Sequence, residues 1–495
     1  MYSIGFDIGS SSIKGAIVDI ETGTVAASGF SPKTEMEIIS VKAGFAEQNP
    51  EIWWENIKLL SNKLIKENKI EPAQIKCVGI SYQMHGLVMI DKKNCLLNNS
   101  IIWCDSRAVD LGNKAFEDLG RDYCLGHLLN SPGNFTASKL KWVKENNKNL
   151  YDKIYKILLP GDYIALKLTG LPVTTMSGLT EGVFWDFPEN KISEKLLDYY
   201  DINPSIIADV KPTFAEQGFL IKSAAAELGL PKGIPVSYRA GDQPNNAFSL
   251  NVLNPGEVAA TAGTSGVMYS VAGDFICDKF SRVNSFAHIN YSNEAKRIGV
   301  LLCINGTGIL NSWVRKYLAE KSTYDQMNQI ADLADIGAKG ISVLPFGNGA
   351  ERMLKNQNPG SHILGLDFNR HSIAHIFRGA QEGVAFAFKY GFDIMKEMGI
   401  TTNVIRAARQ NMFLSRVFAQ TLSDITGITI EFYNTDGAQG AARGAAFGAG
   451  FYKSPQDAFS SLRIVDEIEP IEENREKVNE AFNLWMNRLN KFLIQ

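Results

Sequence analysis

The sequence predicts an α/β protein built twice on one plan. Three observations carry this. Ile4, Phe6 and Ile8 alternate with Gly5, Asp7 and Gly9, the period of a strand; Gly9-Ser10-Ser11-Ser12 breaks the run and Ala16-Ile17-Val18 resumes it, so a β-hairpin with a hydroxyl-rich turn is expected. A second stretch, Val258-Ala259-Ala260-Thr261-Ala262-Gly263-Thr264-Ser265-Gly266-Val267-Met268-Tyr269, repeats that plan near the start of the second half. After each hairpin, short apolar strands alternate with segments of helical period.

A Gly/Ser turn can aim backbone N–H groups and hydroxyls at a phosphate, and Asp7 stands where it can hold a cation beside one. An ordinary hairpin with an exposed Asp7 is the plain alternative. Two such hairpins, one per half, suit a polyphosphate gripped from both sides.

Further along, Asn49-Pro50 starts a helix with Trp53, Ile57, Leu60 and Leu64 on one face. Ile75–Ile80 is a short strand running into Gln83-Met84-His85-Gly86, a polar break before Leu87–Ile90. Ile101-Ile102-Trp103-Cys104-Asp105-Ser106-Arg107 ends a strand in an aromatic, an acid and a base; Asp105 and Arg107 suit an ion pair, and Trp103 suits core or ligand equally. Helices are expected from Phe135 and from Pro160, with Asp162 in the first turn of the latter. Pro235–Ala240 is a strand entering Gly241-Asp242-Gln243-Pro244, either a simple turn or a carboxylate fixed at a strand end, where α/β sheets gather ligands. In the second half, strands are expected at Leu301–Ile304, Ile341–Pro345 and Ile428–Phe432. Helices are expected at about Ile373–Met398, Asn411–Thr426 and Gly437–Gly450, the last built of small residues that allow a close approach, most simply to backbone. Val478, Phe482, Trp485, Leu489 and Phe492 form one apolar stripe in the tail.

The 495 residues are 45% hydrophobic and 21% charged with net charge −3, a soluble globular composition without the basic footprint of a nucleic-acid binder. Cys77, Cys95, Cys104, Cys124, Cys277 and Cys303 form no Cys-x-x-Cys pair and are expected to be reduced thiols. The opening strand with Asp7 is not a signal peptide, and no run approaches the ~20 apolar residues of a membrane span, so a cytoplasmic protein without membrane or nucleic-acid partners is expected. Walker, Gly-x-Gly-x-x-Gly and Gly-x-Ser-x-Gly motifs are lacking, and Ser372 follows His371 where a zinc protease would carry Glu before His375.

Several stretches, in this order, resemble the FGGY carbohydrate kinases over essentially the whole chain: Asp7–Lys14, Gly44-Phe45-Ala46-Glu47-Gln48, Trp103–Arg107, Lys139-Leu140-Lys141-Trp142, Gly241-Asp242-Gln243, Gly263-Thr264-Ser265-Gly266, Arg378-Gly379-Ala380-Gln381-Glu382-Gly383 and Gly440-Ala441-Ala442. The resemblance implies two actin-like, ribonuclease-H-like domains, 1–246 for sugar and 247–495 for nucleotide, with ATP-Mg²⁺ and a sugar in an interdomain cleft. It implies Asp242 as general base, taking the proton from the attacking hydroxyl. Met84, His85, Trp103, Asp242 and Gln243 would line the sugar site. Gly9, Ser10, Ser11, Ser12, Lys14, Gly263, Thr264 and Ser265 would hold phosphates, and Asp7 with Asp242 the Mg²⁺. The family's Gly-Gly-Gly-Ala nucleotide loop is replaced by Arg409-Gln410-Asn411-Met412-Phe413-Leu414, so Gln410 and Asn411 are the substitutes. Gln83–Gly86 is similar to the ketopentose kinases, whereas kinases of glycerol carry Arg-Glu where Met84-His85 stands; Gln243 is closer to the latter. A ketopentose, D-xylulose first, is the expected acceptor. Another ketose (ribulose, sedoheptulose) or a glycerol-like polyol, or a non-catalytic ATP- and sugar-binding regulator, are the alternatives, and a homodimer is possible for this family.

Overall fold

A computed structural model of the chain describes residues 1–493. The chain folds into two compact units. The first comprises Met1–Asn251, Phe286–Ile298 and Thr435–Leu462; the second comprises Val252–Ser285, Gly299–Asn434 and Arg463–Gln495. Residues 247–251, 286–298 and 435–462 of the expected 247–495 domain therefore belong to the first unit.

The first unit is built on five strands: β1 (Tyr2–Ile8), β2 (Ile13–Asp19), β3 (Val25–Ser31), β4 (Ile75–Tyr82) and β5 (Val236–Gly241), in the order β5-β4-β1-β2-β3. β1 runs antiparallel to β2 and parallel to β4, which runs parallel to β5. Strand alternation sorts the two faces. Ile4, Phe6 and Ile8 join a core with Trp53, Ile57, Leu60 and Leu64 of the helix Pro50–Glu67, whose Asn49 side chain caps its N-terminus. Gly5 and Asp7 share the opposite face, covered by the helix Gly437–Gly448. A Cβ on Gly5 would stand 2.2 Å from the Ala438 carbonyl oxygen, and one on Gly79 2.0 Å from that of Ala441. The small residues of this helix thus allow contact with sheet backbone, and that contact draws Thr435–Leu462 into the first unit.

The second unit repeats the plan. Its sheet contains β6 (Glu257–Ala262), β7 (Gly266–Ala272), β8 (Asn284–Ala287), β9 (Ile298–Ile304), β10 (Val404–Ala408), β11 (Ile430–Tyr433) and β12 (Ile464–Ile468), ordered β8-β9-β7-β6-β10-β11-β12. Here β6 is antiparallel to β7 and parallel to β10, as β1 is to β2 and β4. The long helix Ile373–Glu397 packs close at Gly383, where a Cβ would meet the Val343 carbonyl oxygen at 2.2 Å. Arg378 pairs with Glu382 at 2.7 Å, and Gln381 accepts from Ser415 Oγ, so this family-like motif is structural.

Two expectations need correction. Residues 411–426 are not one helix. Asn411–Leu414 is a single 3₁₀ turn, with Asn411 at φ +55°, and Ser415 caps a separate helix, Arg416–Thr426. Left-handed backbone at Asn411 cannot sit inside an α-helix. In the tail, Val478, Phe482, Trp485 and Leu489 are buried along the helix Arg475–Leu489, but Phe492 lies beyond it and stacks on His362 at 4.0 Å.

Candidate active site

In the first unit, the candidate carboxylates stand at the carboxyl ends of β1 and β5, the two strands that run parallel to β4 on either side of it. Asp7 is the penultimate residue of β1 and pairs in register with Ser81 of β4 and Lys14 of β2. Tyr82, the last residue of β4, pairs with Gly241, the last of β5. Asp242 follows at once and opens the helix Asp242–Ser249, so the Gly-Asp-Gln-Pro stretch is a strand-to-helix corner rather than a turn. Such corners present side chains outside the sheet.

Ser81 Oγ donates to Asp7 Oδ1 at 2.7 Å. Burial raises the Asp7 pKa, and the Lys14 ammonium opposes that rise. A Cβ on Gly437 would come within 2.5 Å of Asp7 Oδ2, so glycine at the start of the helix Gly437–Gly448 makes room for the carboxylate at that helix N-terminus. Part of Asp242 reaches solvent, yet the protein packed around it pushes its pKa up to about 7; the Asp7 charge adds to the rise, and the Gln243 N–H and side chain resist it.

His85 occupies the break between strands with φ +61°. Its ring lies edge-on to Phe135, with centroids 4.8 Å apart, and 5.4 Å from Phe286. Lys139 Nζ is buried and donates to the carbonyls of His85, at 2.8 Å, and Ile102, at 3.0 Å. It thereby ties the His85 turn to the segment that carries Trp103. Burial lowers its pKa to about 7, and a neutral amine still has donors for both carbonyls. Trp103 is 49% exposed, not core, and its Nε1 donates to Ser10 Oγ at 3.4 Å. Met84 is only 4% exposed; it packs beneath Gly241, where a Cβ would stand 2.6 Å from Met84 Cγ.

The first hairpin is fixed by its neighbours. Gly9 N–H closes the turn onto Ser12 O at 3.1 Å, and Met36 N–H donates to Ser11 O. Gly9 therefore supplies shape, and its N–H is engaged inside the turn. Gln48 Nε2 donates to Ser10 O at 2.6 Å and its Oε1 accepts from Trp53 and Gln83. Arg107 pairs with Asp105 and Glu47 and lies 3.8 Å over the Phe45 ring, so the expected Asp105–Arg107 pair is present and structural.

In the second unit, the Gly263-Thr264-Ser265 turn is held by the helix Gly308–Leu318. Gly308 N–H donates to Gly263 O at 2.8 Å and Ile309 N–H to Thr264 O at 3.1 Å. A Cβ on Gly308 would stand 2.3 Å from Gly263 O, so only glycine permits this approach. Asn411 lies by the same turn, its Nδ2 3.7 Å from where a Cβ on Gly263 would be. Gln410, an exposed residue, precedes it beyond β10.

Lys139, Gln48, Phe286 and Glu181, whose Oε1 accepts from the His85 N–H, pack around the candidate site and are residues that sequence reasoning misses. Lys139 and Gln48 lie in family-like stretches, which is their only signal; Phe286 and Glu181 carry none.

The fold is that of solved sugar and polyol kinases. It superposes on xylulose kinase from Rhodospirillum rubrum with TM-score 0.89 at 23% identity, covering 99% of each chain. It superposes equally on Plasmodium falciparum glycerol kinase with ADP, with TM-score 0.88 at 21% identity, covering 100% of this chain and 98% of that one. The chain belongs to the FGGY family of carbohydrate kinases: residues 2–249 match its N-terminal domain and residues 258–451 its C-terminal domain. It is thus an ATP-dependent carbohydrate kinase of two actin-like domains. Among curated relatives, xylulose kinase of Bacillus subtilis is 28% identical over 98% of this chain and 96% of its own length; that of Staphylococcus xylosus is 27% identical over 98% and 99%.

Proposed function

We propose that the protein transfers the γ-phosphate of ATP to D-xylulose, giving D-xylulose 5-phosphate, with Asp242 as general base. The observation that carries this is the Asp242 carboxyl, set at a strand end beside Asp7 and poised near neutrality. A base with a pKa near the working pH combines adequate ionisation with proton affinity. The full-length similarity to xylulose kinases supports the choice of sugar.

Asp242 accepts the proton as the sugar hydroxyl attacks, and Gln243 steadies its ionised form. His85, Trp103 and Gln243 orient the sugar, and buried Met84 sets the floor. The hydroxyls of Ser10, Ser11 and Ser12, with Lys14, are the phosphate-binding groups of the first unit; Thr264, Ser265 and Asn411, with Gln410 beside them, are those of the second. The residues fit Mg²⁺: Asp7 and Asp242 are hard oxygen donors whose mutual repulsion a divalent cation would relieve, and Mg²⁺ ordinarily takes one or two carboxylates plus water and phosphate oxygens. When bound, it neutralises charge on the transferring phosphoryl group. Among the described residues no cluster of three or more His, Cys, Asp or Glu could hold a metal ion.

Incubation with ATP-Mg²⁺ and a panel of xylulose, ribulose, sedoheptulose and glycerol, following ADP, tests the reading. Xylulose is expected to give the highest kcat/KM. A better rate with another acceptor would reassign the sugar, and no sugar-dependent ADP would leave a binding protein without kinase activity.

A further inference from the structure

The His85 turn is held from beneath by one residue that the reaction scheme does not use. Glu181 ends the short helix Met176–Glu181 and is only 2% exposed. Its Oε1 accepts from the His85 backbone N–H at 3.3 Å. Its own carbonyl oxygen lies 2.9 Å from His85 Nδ1. A carbonyl only accepts, so Nδ1 carries the hydrogen, which fixes the tautomer of the neutral ring. The other carboxyl oxygen rests against the corner that delivers Asp242: a Cβ on Gly241 would stand 2.4 Å from Glu181 Oε2. One side chain thus touches both the turn that carries His85 and the strand end that carries the base.

We infer that Glu181 is a positioning residue for the acceptor sugar, fixing the main chain of His85 through its carboxyl and the ring through its carbonyl, so that the imidazole meets the sugar in one tautomer and one orientation. The left-handed backbone at His85 costs free energy, and the turn keeps it because its N–H, its carbonyl and its ring are each bonded, two of the three to Glu181 and the third to Lys139. Burial raises the Glu181 pKa well above the ordinary carboxyl range, and Asp242 and Asp162 raise it further against the pull of the His85 N–H. Tyr82 is the other titratable group facing it.

The inference rests on the sugar-kinase reading above, and the test separates the two. Glu181→Gln keeps an acceptor for the His85 N–H; Glu181→Ala removes it. Glu181→Ala is expected to raise the sugar KM at least tenfold, with kcat and the ATP KM within about threefold. Glu181→Gln is expected to stay within about threefold throughout. Hydrogen–deuterium exchange over residues 83–86 reads the clamp without substrate: faster in Glu181→Ala, unchanged in Glu181→Gln. A sugar KM in Glu181→Ala within twofold of wild type, equal damage from Gln and Ala, or exchange that is the same in all three proteins would each overturn it. Wild-type protein without sugar-dependent ADP release would instead fail the sugar-kinase reading, and the exchange comparison would still decide whether Glu181 holds the turn.

Discussion

The two hairpins share a plan and differ in equipment. Each joins a strand to an antiparallel neighbour, and each first strand also has a parallel neighbour. The first turn spans four residues, between the Ile8–Ile13 pair; the second spans three, between Ala262 and Gly266. At the penultimate position of the first strand, one unit carries Asp7 and the other Thr261. Side chains brace the first turn, through Gln48 and Trp103 on Ser10; the N-terminus of a helix braces the second, through Gly308 and Ile309. The repeated backbone therefore carries a carboxylate beside a turn braced by side chains in one copy, and a threonine beside a turn braced by a helix in the other.

That contrast breaks most visibly at the matched pair. Asp7→Asn is expected to lower kcat by roughly 10² or more, whereas Thr261→Ala should stay within roughly threefold. Steady-state ADP release in both variants checks it, and equal losses would erase the asymmetry.

A carboxylate site also costs stability. The folded pKa of Asp242, about 7, lies above the ordinary Asp value, so the folded state holds a proton that the unfolded state releases. Below about pH 4 both states are protonated and Asp242 costs nothing; as pH rises toward 7 the unfolded state is favoured. Asp242→Asn should therefore stabilise the protein by roughly 1–3 kcal/mol at pH 8 and by little at pH 4. Denaturant titrations at the two pH values read this, and a pH-independent difference would contradict the assignment of the shift.

The bracing of the second turn is tested next. Gly308→Ala pushes a methyl against Gly263 O and is expected to raise the ATP KM roughly tenfold with the sugar KM unchanged. The smallest effect is expected from Trp103→Phe, which loses only the bond to Ser10 Oγ; about 0.5–1 kcal/mol corresponds to a two- to fivefold rise in sugar KM.

What the chain discloses follows from where the information sits. Alternation in Ile4–Ile8 and the glycine-alanine run 437–448 are local signals, and both elements are where the pattern places them. The partner of that run is not local. That a helix from the far end of the chain covers Gly5 and Gly79, and belongs with the first unit, depends on a tertiary approach that composition does not encode. The single helix expected over 411–426 fails because apolar spacing gives no sign that Asn411 adopts left-handed backbone. Asp242 is legible as a carboxyl at a strand end, but its pKa shift arises from burial and from Asp7. Glu181 is silent, since an acid in Gly-Leu-Thr-Glu-Gly reads as surface until the fold buries it.

The most direct test of the account is the rate of xylulose-dependent ADP release by Asp242→Asn at pH 8 and saturating ATP-Mg²⁺. Loss of the general base predicts a fall of roughly 10²–10⁴ in kcat while the variant still binds nucleotide. Turnover within threefold of wild type would show that another group takes the proton.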